Sequence, residues 1–234
     1  MSQPRSLFRK VLKVLAYGGA LVVVILVIAH FAWKYSGSGQ WKVIRDRKGV
    51  RIYSLKEPGS TRLRFKVVTQ IHAKLDAIVA AMTDTTTEGC RNFIEGCTSG
   101  TIFKPWDSQT LNYVQAYRIA VKPPFAPRDL AIKTQVSRDP KTKALLMEMT
   151  SVPELVPVDS CCVRMTDLHN RWRFTPLQNG MVEVEFTQDD DPRVPYFMYN
   201  RIIPIGHTWM RRNTERVFNK EKYQHAEYDF LKAP

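Results

Sequence analysis

Charge is missing from residues 16–33. That stretch, AYGGALVVVILVIAHFAW, holds no Lys, Arg, Asp or Glu. A helix that spans the hydrocarbon core needs roughly 20 apolar residues, with a lower limit near 17. The bland alternative is a buried helix of a soluble protein, and a run that is continuous rather than periodic argues against it. Backwards it extends through Val11, Leu12, Val14 and Leu15, broken only by Lys13, whose stem can carry its ammonium to the interface. Tyr17 and Trp33 sit at its ends, where amphipathic rings prefer to lie. The small-residue pattern of a cleavable signal peptide is also missing, with Ser36 and Ser38 as weak substitutes, so an uncleaved anchor is expected.

Catalytic and metal signatures are absent as well. His30, His72, His169, His207 and His225 follow no His-Glu-x-x-His spacing, and there is no nucleophile elbow, phosphate loop or dinucleotide fingerprint. Asp189, Asp190 and Asp191 lack the glycine turn of a calcium loop and read as a solvated turn. Cysteine is scarce. Cys90, Cys97, Cys161 and Cys162 match no zinc template and allow three pairings if all are oxidised. Cys90–Cys97 is the candidate disulfide, because Gly96 lets the chain turn before Cys97. The adjacent pair would need an unusual ring and is expected as two buried thiols.

What remains is basic. The net charge is +13, of which +5 lies in residues 1–34 and +8 in the rest. The basic residues are interleaved with acids, in no nucleic-acid module, so no nucleic-acid partner is expected. Arg5, Arg9, Lys10 and Lys13 precede the apolar run and only Lys34 follows closely. That bias places the N-terminus in the cytoplasm and the remaining chain outside it, by default on the periplasmic face of a bacterial inner membrane. A cytosol-facing domain stays open, because Lys42, Arg45, Arg47, Lys48 and Arg51 follow soon after.

The pattern divides the chain into a basic tail (1–10), a transmembrane signal-anchor helix (11–34), a Ser/Gly linker (35–40), one domain (41–220) and a polar, fraying tail (221–234). Gly49 marks a hairpin turn. Leu63, Phe65, Val67, Thr69 and Ile71 alternate as a half-buried strand. Leu75, Ile78, Val79 and Met82 share a helical face, and a second short helix is expected over residues 88–95. Strands follow over 101–103, 111–119, 130–136, 144–150, 163–174 and 181–186. A long helix over 194–218 closes the series, with an apolar seam of Met198, Ile202, Ile205 and Trp209 and a bend at Pro204 and Gly206. A long helix laid across a curved antiparallel sheet can enclose a cavity.

Four pieces in order give the domain a family likeness. Trp41 with Lys48-Gly49-Val50-Arg51-Ile52-Tyr53, Lys122-Pro-Pro-Phe-Ala-Pro-Arg128-Asp129-Leu130, Val163-Arg164-Met165 before Trp172 and Phe174, and Asp191-Pro192 before Pro195 together resemble the StAR-related lipid-transfer (START) domain. Arg193-Val194 departs from the family's Gly-Gly. The resemblance implies an α+β helix-grip fold of the START/Bet v 1-like type, a curved antiparallel sheet gripping a long C-terminal helix, here preceded by one transmembrane helix. It implies a lipid ligand such as a sterol or phospholipid and no cofactor; no catalysis is expected, because no catalytic constellation is recognisable in the sequence. The expected ligand contacts are Phe125, Arg128, Asp129, Trp172, Phe174, Met198, Ile202, Ile205 and Trp209. For Arg128 and Asp129 the favoured reading is an ion pair that fixes the turn before a strand, and the aromatic and seam residues read equally as plain core. Two rivals stand: a helix-grip enzyme using Arg128, Asp129, Tyr113 or Tyr117, and a scaffold whose cavity is filled by Phe65, Phe186 and Trp209.

Overall fold

The structure, a computed structural model, describes residues 4–157 and 160–232. Contacts divide the chain into two compact units, one running to Gln40 and taking in Leu55–Thr61, the other made of Trp41–Ser54 and the chain from Arg62 on.

The first unit is built on helix α1 (Pro4–Tyr35). The helix starts earlier than expected, so residues 4–10 are helical rather than a separate tail. Its segment Phe8–Tyr35 is 28 residues long and contains an 18-residue window of mean hydropathy 2.6 with no residue buried, so it is long and apolar enough to cross a membrane.

The second unit is an antiparallel sheet with helices at its concave side. Its strands are β1 (Trp41–Arg47), β2 (Val50–Leu55), β3 (Arg64–His72), β4 (Cys97–Asp107), β5 (Asn112–Ile119), β6 (Arg128–Arg138), β7 (Leu145–Ser151), β8 (Val163–Met165), β9 (His169–Pro176) and β10 (Met181–Gln188). Their order is β1-β2-β3-β10-β9-β7-β6-β5-β4, with β8 parallel to the start of β6. The strand expected over 163–174 is therefore two strands, because β8 leaves the β9 line to pair with β6. Lys48 and Gly49 both adopt positive φ, 54° and 73°, which fits the two-residue hairpin turn between β1 and β2.

Alternation sets the core. Phe65, Val67, Thr69 and Ile71 of β3 are buried, and opposite them in register stand Val182, Val184 and Phe186 of β10. Helices α2 (Leu75–Met82) and α3 (Thr87–Phe93) lie between β3 and β4 in the chain. The α2 face buries Ile78, Val79 and Met82 as expected. Thr86 caps α3 by accepting the Gly89 N–H at 3.1 Å. A disulfide joins Cys90 to Cys97 and ties α3 to β4.

Three expectations are corrected. Cys161 and Cys162 are not thiols but are bonded to each other, since adjacent cysteines can close a ring when the peptide between them turns. The tail does not fray. Helices α6 (Glu221–Gln224) and α7 (Asp229–Lys232) pack Tyr223 and Leu231 into the main core, Lys222 pairs with Asp84 at 3.0 Å, and Tyr228 donates its N–H to Asp76 at 2.8 Å. The long C-terminal helix is two helices, α4 (Tyr196–Gly206) and α5 (Met210–Phe218), joined by a 3-10 turn over His207–Trp209. The break falls just past Pro204 and Gly206, where a bend is expected, and α4 runs through Pro204 itself.

Candidate functional site

The candidate site is the concave face of the sheet together with the helices that close it. One end of that face is filled. Trp172 stacks on Phe186 with ring centres 4.2 Å apart and lies 5.7 Å from Phe174. Phe93 of α3 meets Trp172, and Phe218 of α5 meets Phe174 edge-on at 5.8 Å. Trp172 and Phe174, expected as ligand contacts or core, thus pack in the main core.

The helix buries a line different from the expected seam. Tyr199, His207, Thr214, Val217 and Phe218 are buried. At about 100° per residue, Met198, Ile202, Ile205 and Trp209 lie roughly 60–120° round the axis from Tyr199. Met198 is half-buried, whereas Ile202, Ile205 and Trp209 are exposed, Trp209 by 64%. Phe197, on α4 as well, is also exposed. The helix carries two apolar stripes, and periodicity alone could not say which one the sheet covers.

Polar groups hold the start of α4. The Tyr199 hydroxyl donates to Asp190 at 2.9 Å, and Gln188 donates to the same carboxylate at 3.0 Å. Burial raises the Asp190 pKa above the ordinary carboxylate value, against those hydrogen bonds, and burial also raises that of Tyr199. Arg62 pairs with Asp167 at 2.7 Å and Asp191 at 3.2 Å, and Arg64 with Asp189 at 2.7 Å. The expected solvated turn of three aspartates is therefore corrected, because arginines from the start of β3 draw it into the fold. The Leu63 N–H donates to the Asn200 side chain at 2.9 Å.

Arg128 and Asp129 are both buried but do not pair with each other in the expected way. Arg128 donates to the carbonyls of Ala126, Pro192 and Arg193, the last at 3.0 Å, and its guanidinium lies 6.0 Å from the Phe125 ring. Asp129 instead accepts from Arg164 at 2.8 Å, and Arg164 also donates to the carbonyls of Pro153, Val156 and Pro157. These residues knit the loops around β6 together. Phe125 is half-buried against Arg128.

Three residues were not singled out as ligand contacts. Gln115 of β5 is fully buried and takes the Tyr117 hydroxyl on its Oε1 at 2.7 Å, while its Nε2 has no hydrogen-bond partner among the described residues. Its signal was its place between Tyr113 and Tyr117 at alternate positions of one strand. His207 sits against Phe65 at 6.3 Å and Phe186 at 5.7 Å, and burial pulls its pKa down to about 4. Tyr199 carries the latch to Asp190. Tyr113 is fully buried and donates to the Met82 carbonyl at 2.8 Å. Burial raises the pKa of Tyr113 and of Tyr117 well above the ordinary tyrosine value. Among the described residues no cluster of His, Cys, Asp or Glu could hold a metal ion.

No protein-family model matches the chain. A curated relative, an uncharacterized protein of Pseudomonas aeruginosa, is 22% identical over 188 residues, covering 79% of this chain and 90% of its own. Among solved structures, a STAR-related lipid transfer protein fragment from Xanthomonas axonopodis superposes with a TM-score of 0.69 at 17% identity, covering 78% of this chain and 100% of its own. Human STARD10 superposes with a TM-score of 0.69 at 13% identity, over 86% and 83%. These likenesses establish the fold: the chain from β1 onward has the helix-grip architecture of START domains.

Proposed function

We propose that the protein is a membrane-anchored lipid-binding protein that takes a hydrophobic ligand between the concave sheet and α4, without catalysis. The observation that carries this reading is the state of α4. It buries one residue, Tyr199, and leaves Phe197, Ile202 and Ile205 more than half exposed, beside the exposed Trp209 in the turn that follows. Apolar surface of that kind is stabilised by covering it, at about 25 cal/mol per Å² removed from water. A lipid that enters as α4 lifts, or a bilayer beside the helix, supplies the cover. Met198, Ile202, Ile205 and Trp209 are the lid contacts in this reading, and Gln115 meets an uncharged acceptor on the ligand. The structural neighbours named as lipid-transfer proteins support the ligand class. Two disulfides, in residues 90–97 and 161–162, fit an oxidising compartment and so support a domain outside the cytoplasm.

The aromatic block of Trp172, Phe174, Phe186 and Phe218 favours a second reading, a scaffold whose concave face is filled. Photo-crosslinking separates the two. The full chain is placed in liposomes that carry photoreactive, clickable analogues of cholesterol, diacylglycerol and phosphatidylglycerol. Labelling within residues 113–117 and 196–209 is expected. Labelling confined to residues 8–35 with every probe would remove the lipid-binding reading and leave the scaffold.

A further inference from the structure

The Ser/Gly stretch after α1 reads as a short flexible linker, yet several hydrogen bonds tie it to residues 56–61. The Lys56 ammonium donates to the carbonyls of Lys34 at 3.1 Å, Ser36 at 3.0 Å, Glu57 at 3.0 Å and Ser60 at 2.6 Å. It also lies 5.3 Å from the centre of a Trp33 ring. An ammonium has three protons, so four carbonyl partners occupy it completely. The Trp33 indole N–H donates to the Thr61 carbonyl at 2.8 Å, the Gly59 N–H to Lys34 at 2.8 Å, and the Gly39 N–H to Lys56 at 3.1 Å.

Helix geometry explains the arrangement. The last carbonyls of a helix have no partner within it and form the negative end of its dipole. At the end of α1, the Lys34 carbonyl receives both an ammonium and a backbone N–H from residues that lie more than twenty positions further on. Gly37 adopts φ 111°, and a Cβ there would fall 2.3 Å from the Lys56 carbonyl oxygen, so the contact demands glycine. Signal-peptide cleavage near Ser36 or Ser38 would cut through this collar.

We infer that residues 33–39 and 55–61 form a permanent collar, keyed by Lys56, that fastens the exit of α1 and keeps the anchor in the mature protein. Lys56 is a positioning residue: it acts by closing the helix end. The collar confines whatever the protein binds to the membrane that holds α1. It stands independently of the lipid-binding reading.

The test uses the full chain with a C-terminal tag, isolated from bacterial membranes. Its intact mass is expected to include α1, and a chain that begins within residues 34–40 would overturn the inference. In nanodiscs, chymotrypsin cleavage after Tyr35 reads the collar directly. Lys56→Met is expected to speed it about tenfold, because cleavage follows the open population. Lys56→Arg, which keeps donors, is expected to restore much of the protection. Trp33→Phe keeps a ring, loses one donor, and is expected to speed cleavage about threefold, which covers the case of a Lys56 variant that fails to fold. Wild-type cleavage as fast as in Lys56→Met and Trp33→Phe would show that no collar exists. Crosslinking by lipid probes is expected to be unchanged in Trp33→Phe.

Discussion

The two halves of the C-terminal helix follow one another in the chain and are packed in opposite ways. Helix α5 buries Thr214, Val217 and Phe218. It is tied by Asn213 to the Asn92 carbonyl at 2.6 Å, and the Asn219 that follows it is tied to the His72 carbonyl at 2.7 Å. Helix α4 buries Tyr199 alone and is held at its start by the Asp190 and Leu63 hydrogen bonds. Regions with few buried apolar contacts open at lower free energy than the core around them. On the proposed reading, α5 is the root, the turn at His207–Trp209 is the joint, and α4 is the lid that lifts to admit ligand.

Removing a buried ring from α5 and an exposed ring from the turn that follows α4 tests the contrast most severely. Phe218→Ala leaves a cavity beside Phe93 and Phe174 and is expected to cost about 3–5 kcal/mol. Trp209→Ala removes an exposed ring and is expected to stay within about 0.5 kcal/mol. Chemical denaturation measures both, and equal losses would break the comparison.

The joint carries the next largest effect. Folded His207 has its pKa drawn down to about 4, whereas the unfolded group titrates near 6.5. Between those values the unfolded state binds more protons, so this contribution is complete above pH 6.5 and is lost as pH falls towards 4. The 2.5-unit gap corresponds to about 3 kcal/mol. Asp84 has its pKa lowered to about 2 despite its burial, through hydrogen bonds from Thr86, Tyr223 and Lys222, so its contribution fades below pH 3.8, outside the histidine window. His207→Phe is expected to flatten the stability profile between pH 6.5 and 4. An unchanged slope would place its origin elsewhere.

How much of this was legible depends on whether the deciding contact is local. Of the five alternating residues expected in the strand that is β3, the structure buries Phe65, Val67, Thr69 and Ile71, while Leu63 lies just before it and is half-buried. The Gly49 turn, the α2 face and the Cys90–Cys97 bond are also short-range features, and they stand as expected. The face of α4 was not legible, because Tyr199 and His207 on one side and Ile202 and Ile205 on the other are both helical stripes. Choosing between them needs Phe65 and Phe186 in place. The aspartate turn was misread for a similar reason, since Arg62 and Arg64 stand more than a hundred residues earlier. The packed tail shows the same limit: Tyr223 looks polar until the Asp84 carboxylate is found beside its hydroxyl at 2.6 Å.

Tyr199→Phe sharpens the comparison by loosening one half alone. It deletes the hydroxyl that Asp190 accepts at 2.9 Å and leaves a buried carboxylate short of a donor. The expected loss is about 1–3 kcal/mol. Hydrogen exchange is expected to accelerate over residues 196–206 and to stay unchanged over 210–218. Acceleration spread evenly across both helices would mean that they open as one body.

The smallest stability effect comes with a large functional one, and it separates a lid from an idle surface helix. Ile202→Ser and Ile205→Ser change exposed side chains, so each is expected to shift stability by less than about 0.5 kcal/mol. If these side chains meet lipid when α4 lifts, each substitution removes apolar burial worth about 1.5–3 kcal/mol for a fully covered isoleucine. Crosslinking of residues 113–117 by the lipid probes would then fall about tenfold or more, since 1.4 kcal/mol is a factor of ten. Serine at either position with full stability and undiminished labelling would show that ligand reaches the concave face by another route, and α4 would no longer be its lid.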